Sequence, residues 1–288
     1  MIAYKTVHVD GLKIFYREVG RPGAPTIVLL HGFPSSSHMF RHLMRELADD
    51  FHLIAPDYPG FGNSDNPSVD DFEYTFERLA DLMEKFLVAL GVEQFIPYVM
   101  DYGAPIGFRI AERRPERIRA LIVQNGNAYE EGLPKFWEPI RAYWQDKNET
   151  TADALRFLLT RGATEWQYFN GARNPQHVSL DAVNTDQATL DRPSNQQIQL
   201  ALFYDCRTNP PLYPRWQEYF RRHQPPTLVV WGKNDAIFSQ PGALAFQRDL
   251  KDTEIHLLNT GHFALEEESA LIAELIRRFL ATRLPRVA

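Results

Sequence analysis

Three side chains in this sequence could together run a hydrolysis, and they come in the order carboxylate, carboxylate, imidazole: Asp101, Asp235 and His262. Asp101 lies in Tyr98-Val99-Met100-Asp101-Tyr102-Gly103-Ala104, where an apolar, strand-like run gives way abruptly to a helical one. A strand that turns sharply into a helix lifts one reactive side chain above a sheet. Gly103, two residues on, leaves room for such a turn, whereas Val99 departs from the small residue usual two positions before the nucleophile. Asp235 follows the apolar run Thr227 to Trp231, and His262 follows Ile255 to Leu258. Each alone has a plain structural use, as a helix cap, an Asx-turn residue or a loop histidine. Together they fall just past the carboxyl ends of three strands, the edge where open α/β sheets bind ligands.

A carboxylate nucleophile narrows the chemistry. Attack on an ordinary ester or amide would yield a less stable anhydride, so esterase and peptidase reactions are disfavoured. Displacement at a saturated carbon instead leaves an ester on the enzyme. That ester needs a water activated by a histidine, which a second carboxylate holds in the right tautomer. Donors for the oxyanion of that second step are expected from the backbone N–H groups of Phe33 and Tyr102. Phe33 belongs to His31-Gly32-Phe33-Pro34, directly after a strand, and His31 itself reads as structural. Pro59-Gly60-Phe61-Gly62-Asn63-Ser64 lacks the Gly-Lys-Ser/Thr ending of a phosphate loop and reads as a turn.

The elements that must position these residues are legible as an alternation. Val7-His8-Val9, Asp10-Gly11 and Lys13 to Tyr16 predict a hairpin with a two-residue turn. Strands are expected at Thr26 to Leu30, Phe51 to Ala55, Phe95 to Met100, Ile118 to Val123, Thr227 to Trp231 and Ile255 to Leu258. Helices are expected at His38 to Leu47, Phe76 to Leu90, Ala104 to Arg113, Ala243 to Leu250 and Ala270 to Leu284. Apolar strands alternating with helices imply a parallel sheet covered on both faces. The stretch from 127 to 214 has no strand-like run and is far too long for a structureless loop. It reads as a helical cap inserted into a core made of residues 1–126 and 215–288.

Composition excludes other classes. Net charge is −6, with 44% hydrophobic and 24% charged residues, as in globular proteins. The one basic cluster, Arg215, Arg221, Arg222 and His223, reads as a solvated helix face, so nucleic acid is not an expected partner. No apolar run is long enough for a bilayer, and no leader precedes the first strand, so a cytoplasmic, membrane-free protein is expected. The single cysteine, Cys206, allows no internal disulfide. Neither a His/Cys cluster at ligand spacing nor a dinucleotide fingerprint occurs, so no metal or organic cofactor is expected.

The motifs His31-Gly32-Phe33-Pro34, Asp57-Tyr58-Pro59-Gly60-Phe61-Gly62, Asp101-Tyr102-Gly103, Trp231-Gly232-Lys233-Asn234-Asp235 and Gly261-His262-Phe263 resemble those of the epoxide hydrolases and haloalkane dehalogenases of the α/β-hydrolase superfamily. Gln124 to Leu133 is similar to a microbial and fungal epoxide-hydrolase branch. The resemblance spans nearly the whole chain and implies an α/β-hydrolase fold with a cap. Dehalogenases place side-chain N–H donors after the His-Gly pair and after the nucleophile, where this chain has Phe33 and Tyr102. Fluoroacetate dehalogenases use arginines just after the nucleophile, where Tyr102 and Pro105 stand. Epoxide hydrolases hydrogen-bond the ring oxygen through cap tyrosines. The resemblance assigns that role to Tyr204, with Tyr143 as its partner on the first cap helix and Tyr168 in reserve. The expected reaction is hydrolysis of a small apolar epoxide to a vicinal diol. The alternatives are a dehalogenase with halide donors moved to Trp137 or Trp144, and an idle ligand-binding hydrolase fold.

Overall fold

The computed structural model describes residues 1–21 and 23–284. Strands β1 (Ala3–Val9) and β2 (Leu12–Gly20) form the hairpin, turning at Asp10 and Gly11, both at positive φ. Such a turn suits the right-handed twist of the strands it joins. Then come β3 (Thr26–Leu30), α1 (Arg41–Leu47), β4 (His52–Pro56), α2 (Phe76–Ala89), β5 (Ile96–Met100), α3 (Gly103–Arg113) and β6 (Leu121–Gln124). Five helices follow: α4 (Glu138–Gln145), α5 (Glu149–Arg156), α6 (Arg161–Phe169), α7 (Leu180–Leu190) and α8 (Asn195–Asp205). The chain closes with α9 (Tyr213–His223), β7 (Thr227–Gly232), α10 (Gln240–Ala245), β8 (Thr253–Leu258) and α11 (Leu265–Arg283).

The eight strands run in the order β1-β2-β4-β3-β5-β6-β7-β8, antiparallel at β1-β2 and β2-β4 and parallel from β4 to β8. Period-two alternation sends successive side chains to opposite faces. Val28, Leu30, Val99, Val229 and Trp231 join the cluster with α2, α3 and α9 residues, and Ile27, Leu29, Tyr98, Leu228 and Val230 join that with α1 and α11. Both faces being buried is why these strands read as continuous apolar runs.

Helix starts and stops differ modestly from the sequence-based boundaries. The expected helix from His38 opens as a 3-10 turn, Ser37–Phe40, with the Ser36 hydroxyl accepting from the His38 N–H. Helix α11 begins five residues early and bends at Glu268, whose φ of −121° is not helical. At the back of the inserted segment, α9 starts at Tyr213, and its Trp216 and Phe220 pack on Phe108 of α3. At the front, Tyr129 packs against Phe246, and Ser239 N–H donates to the Gly132 carbonyl. Between β6 and β7 the described chain is helical, from α4 to α9. Among the described residues no helix is long and apolar enough to cross a membrane.

Candidate active site

The loops after adjacent parallel strands deliver the site in spatial order: Phe33 after β3, Asp101 after β5, Asn125 after β6, Asp235 after β7 and His262 after β8. Asp101 takes φ 50°, an unusual value for a residue with a side chain, at the point where β5 becomes α3. Strain of that kind costs about 1–3 kcal/mol and persists only where surroundings impose it. Here they do. A Cβ on Gly103 would come 2.1 Å from the Leu30 carbonyl oxygen, and one on Gly32 would come 2.2 Å from the Asp101 Cβ, so only glycine fits either side of the turn. Val99 sits where a small residue is usual, and Gly107 makes the room: a Cβ there would lie 2.5 Å from Val99 Cγ1.

The two carboxylate oxygens of Asp101 have different surroundings. Oδ1 accepts from the Phe33 N–H at 2.7 Å and from the Tyr102 N–H at 2.6 Å. Oδ2 lies 3.9 Å from His262 Nε2, beyond hydrogen-bond range. His262 Nδ1 is 2.8 Å from Asp235 Oδ2, and its Nε2 has no protein partner. Asp235 is fixed in turn: Oδ1 accepts from the Ile237 N–H at 2.7 Å, and Oδ2 from Asn125 Nδ2 at 2.7 Å.

Charge follows from this geometry. Burial pushes the Asp101 carboxyl up from its ordinary range, opposed by His262 and by the two backbone donors. Burial alone would lower the His262 value, but the Asp235 carboxylate, helped by Asp101, outweighs it and raises it. His31 is fully buried, stacks on Tyr58 at 4.1 Å and accepts from the Tyr58 N–H. Burial lowers its pKa to about 3, which keeps it neutral.

Above Asp101 is a tight, mostly apolar cavity, lined by Phe33 and Tyr102 from the sheet edge and by Phe136, Trp137, Ile140, Leu158, Gln167, Phe203 and Cys206 from the segment between β6 and β7. This suits a small, mostly apolar ligand. A narrower recess shares Asp101, Tyr102, Trp137 and Cys206 and reaches Tyr213.

The family follows from comparison with known proteins. The model of the α/β-hydrolase fold family matches residues 25–269. The chain belongs to that family. A yeast hydrolase, YNR064C of Saccharomyces cerevisiae, is 42% identical over 269 residues, 92% of each chain. Among solved structures, the epoxide hydrolase VrEH1 of Vigna radiata superposes with a TM-score of 0.77 at 21% identity, over 98% of each chain. The haloalkane dehalogenase DatA of Agrobacterium tumefaciens superposes with 0.79 at 24%, over 98% of this chain and 97% of that one. These two share the α/β-hydrolase fold with this one.

The tyrosines expected at the ring oxygen are not among the residues that line the cavity. Phe203 and Cys206, three residues apart on one side of α8 and its last turn, face the cavity, and Phe203 packs 5.1 Å from the Phe33 ring. Tyr204, about 100° further round a helix, lies instead between Arg207, 3.8 Å from its ring centre, and Lys147, 4.4 Å away. Tyr143 is buried against Tyr204, one turn beyond the cavity-lining Ile140. Tyr168 donates to Asp186 Oδ2 at 2.5 Å and stacks on Phe263, so it too stands outside the lining. The indole N–H of Trp137 is spent on the Ile237 carbonyl and that of Trp144 on the Phe203 carbonyl. Sequence reasoning assigned no role to Asn125, Gln167 or Cys206. Asn125 carried a faint signal, a short polar residue directly after an apolar, strand-like run, and the structure places it at positive φ; the other two carried none. Among the described residues no group of three or more His, Cys, Asp or Glu could hold a metal ion.

Proposed function

We propose that this α/β hydrolase is an epoxide hydrolase that adds water to a small apolar oxirane through an ester on Asp101. The observation that carries the reading is the unequal treatment of the two Asp101 oxygens. Oδ1 is held by two N–H donors, which leaves Oδ2 to form the bond to carbon. As that bond forms, the ring C–O bond breaks and its electron pair stays on oxygen, which takes up a proton. Water then attacks Cγ and gives a proton to His262 Nε2, while the charge that builds on Oδ1 meets the Phe33 and Tyr102 N–H groups. Collapse breaks the Cγ–Oδ2 bond. The departing diol oxygen takes the proton from His262, and the proton left on the renewed carboxyl balances the one taken up by the ring oxygen.

An oxygen ring fits the donors better than a halide does. A departing halide needs at least two converging N–H groups, yet Phe33 and Tyr102 have no side-chain N–H and both nearby indoles are occupied, which leaves the single amide of Gln167. The reading is tested by a single turnover of an aryl epoxide in oxygen-18 water, followed by mass analysis of the peptide holding Asp101. Label in the Asp101 carboxyl and diol product are the expected result. An unlabelled carboxyl, or release of halide from a bromoalkane with no diol from any epoxide, overturns it.

A further inference from the structure

With Tyr204 and Tyr143 absent from the cavity lining, the atom that leaves carbon needs another partner. We infer that the side-chain amide of Gln167 is that partner, donating from Nε2 to the ring oxygen as Asp101 Oδ2 attacks; this rests on the epoxide reading above. Gln167 lines the same cavity as Asp101 and is 2% exposed, yet its Nε2 has no hydrogen-bond partner. A buried amide without a partner costs about 1–3 kcal/mol. A ligand oxygen in this cavity would satisfy it.

The helix that presents Gln167 is fixed on both sides of it. Trp166 stacks on Phe136 at 5.7 Å with rings 3° from parallel, and Tyr168 stacks on Phe263 at 3.9 Å. One turn earlier, Thr164 donates to Gln187, which in turn donates to the Leu159 carbonyl and Asp191. The stretch of α6 that carries Gln167 is therefore held on both sides, while its Nε2 stays unpartnered. This is the arrangement a preorganised donor requires.

The other polar groups near Asp101 are less suited. The Tyr213 hydroxyl, which accepts from Asn127 Nδ2 at 3.1 Å, lines only the narrower recess and not the cavity that holds Gln167. The Tyr102 hydroxyl also has no partner, on a ring packed edge-on against Phe61 and Phe76. An amide donates a hydrogen bond but no proton. Gln167 thus steadies the electron pair released to oxygen, and the oxygen takes its proton from water. Ring strain makes departure without prior protonation feasible, and a strained oxygen ring is the substrate class that fits a neutral donor here.

The test separates ring opening from ester hydrolysis. In a His262→Gln parent the ester cannot be hydrolysed, so the rate at which styrene oxide adds mass to Asp101 reports the first step alone. Gln167→Leu, which fills the same volume without a donor, and Gln167→Glu, which replaces the donor by an acceptor, should each slow that rate by about tenfold or more. Gln167→His, which keeps an N–H, should recover part of it. With His262 intact, decay of the ester once formed should be unchanged in all three. An undiminished alkylation rate in both the Leu and the Glu variants overturns the inference, as does a loss confined to Tyr102→Phe. A parent that gains no mass from any epoxide overturns the epoxide reading and this inference with it.

Discussion

His262 Nε2 stands 3.9 Å from Asp101 Oδ2, while its other nitrogen is only 2.8 Å from Asp235 Oδ2. The imidazole is thus anchored on the side away from the nucleophile and unbonded on the side facing it. In the proposed reaction a direct hydrogen bond to Asp101 would tie up both the oxygen that attacks carbon and the nitrogen that takes a proton from water. Anchoring through Nδ1 leaves both available and fixes which nitrogen acts as base.

This geometry sets a pH dependence. His262 must be neutral to accept a proton, and its pKa lies above the ordinary histidine value of about 6.5. Ester hydrolysis should therefore weaken as pH falls through that raised value, giving an acidic limb centred above the ordinary one. Asp235→Asn removes the main group that raises it, so the limb should move to lower pH while kcat drops on the order of a thousandfold or more. Linkage runs the same way. A folded-state pKa above the unfolded one contributes stability below about pH 6.5 that is lost as pH rises through the folded value. The Asp235→Asn variant should consequently lose most stability, relative to wild type, on the acid side. Rate profiles and denaturant unfolding at several pH values check both statements.

Asn125 ties two strand ends together. Its Nδ2 donates to Asp235 Oδ2 and its Oδ1 accepts from the Gly232 N–H at 3.0 Å. Asn125→Ala leaves a buried carboxylate and a buried N–H each one partner short, at about 1–3 kcal/mol apiece. Activity should drop about 10- to 100-fold through misplacement of Asp235. With one donor fewer, the Asp235 carboxylate pulls harder on the His262 proton, so the acidic limb should shift upward, opposite to its movement in Asp235→Asn. An unshifted limb would show that Asn125 does not act through the Asp235–His262 pair.

Two tyrosines of the segment between β6 and β7 stand off the cavity wall. Tyr204 lies between two cations outside the cavity, and Tyr143 is packed against it. Tyr204→Phe and Tyr143→Phe should each leave epoxide turnover within about threefold of wild type, since neither removes a group from the cavity wall. Steady-state rates of the two variants suffice; a loss of about 100-fold in either would return that hydroxyl to the reaction.

What the sequence disclosed and what it withheld have the same root. Asp101, Asp235 and His262 each follow an apolar strand, and a strand's end is fixed by local pattern, so their convergence was legible once the alternation was read. The backbone N–H groups of Phe33 and Tyr102 are tied to those same strand ends, and both donate to Asp101 Oδ1. Tyr204, Tyr143 and Gln167 lie on helices of the inserted segment, where one residue of register turns a side chain by about 100°. Which face of α8 meets the sheet edge is decided by Phe203 packing on Phe33, a contact 170 positions apart in sequence. No local pattern reports it.

Val99 departs from the elbow pattern, and Gly107 compensates for it. In α3 the missing Cβ of Gly107 is the space that Val99 Cγ1 occupies, 2.5 Å from where that Cβ would sit. Gly107→Ala gains about 1 kcal/mol of helix propensity. It also drives a methyl group into a fully buried valine beside the strained turn at Asp101, an overpacking that costs about 1–3 kcal/mol. Net destabilisation is expected, together with reduced activity, because relief by movement of α3 would carry the Tyr102 N–H away from Asp101 Oδ1. Val99→Ala alone should lose about 1 kcal/mol or more by leaving a small void. Combined, the two changes exchange a large and an absent side chain for two small ones, so the double variant should be more stable than the sum of the single effects by about 1 kcal/mol or more. Chemical unfolding of the four proteins measures that coupling, and strict additivity would show that the two residues do not share the space.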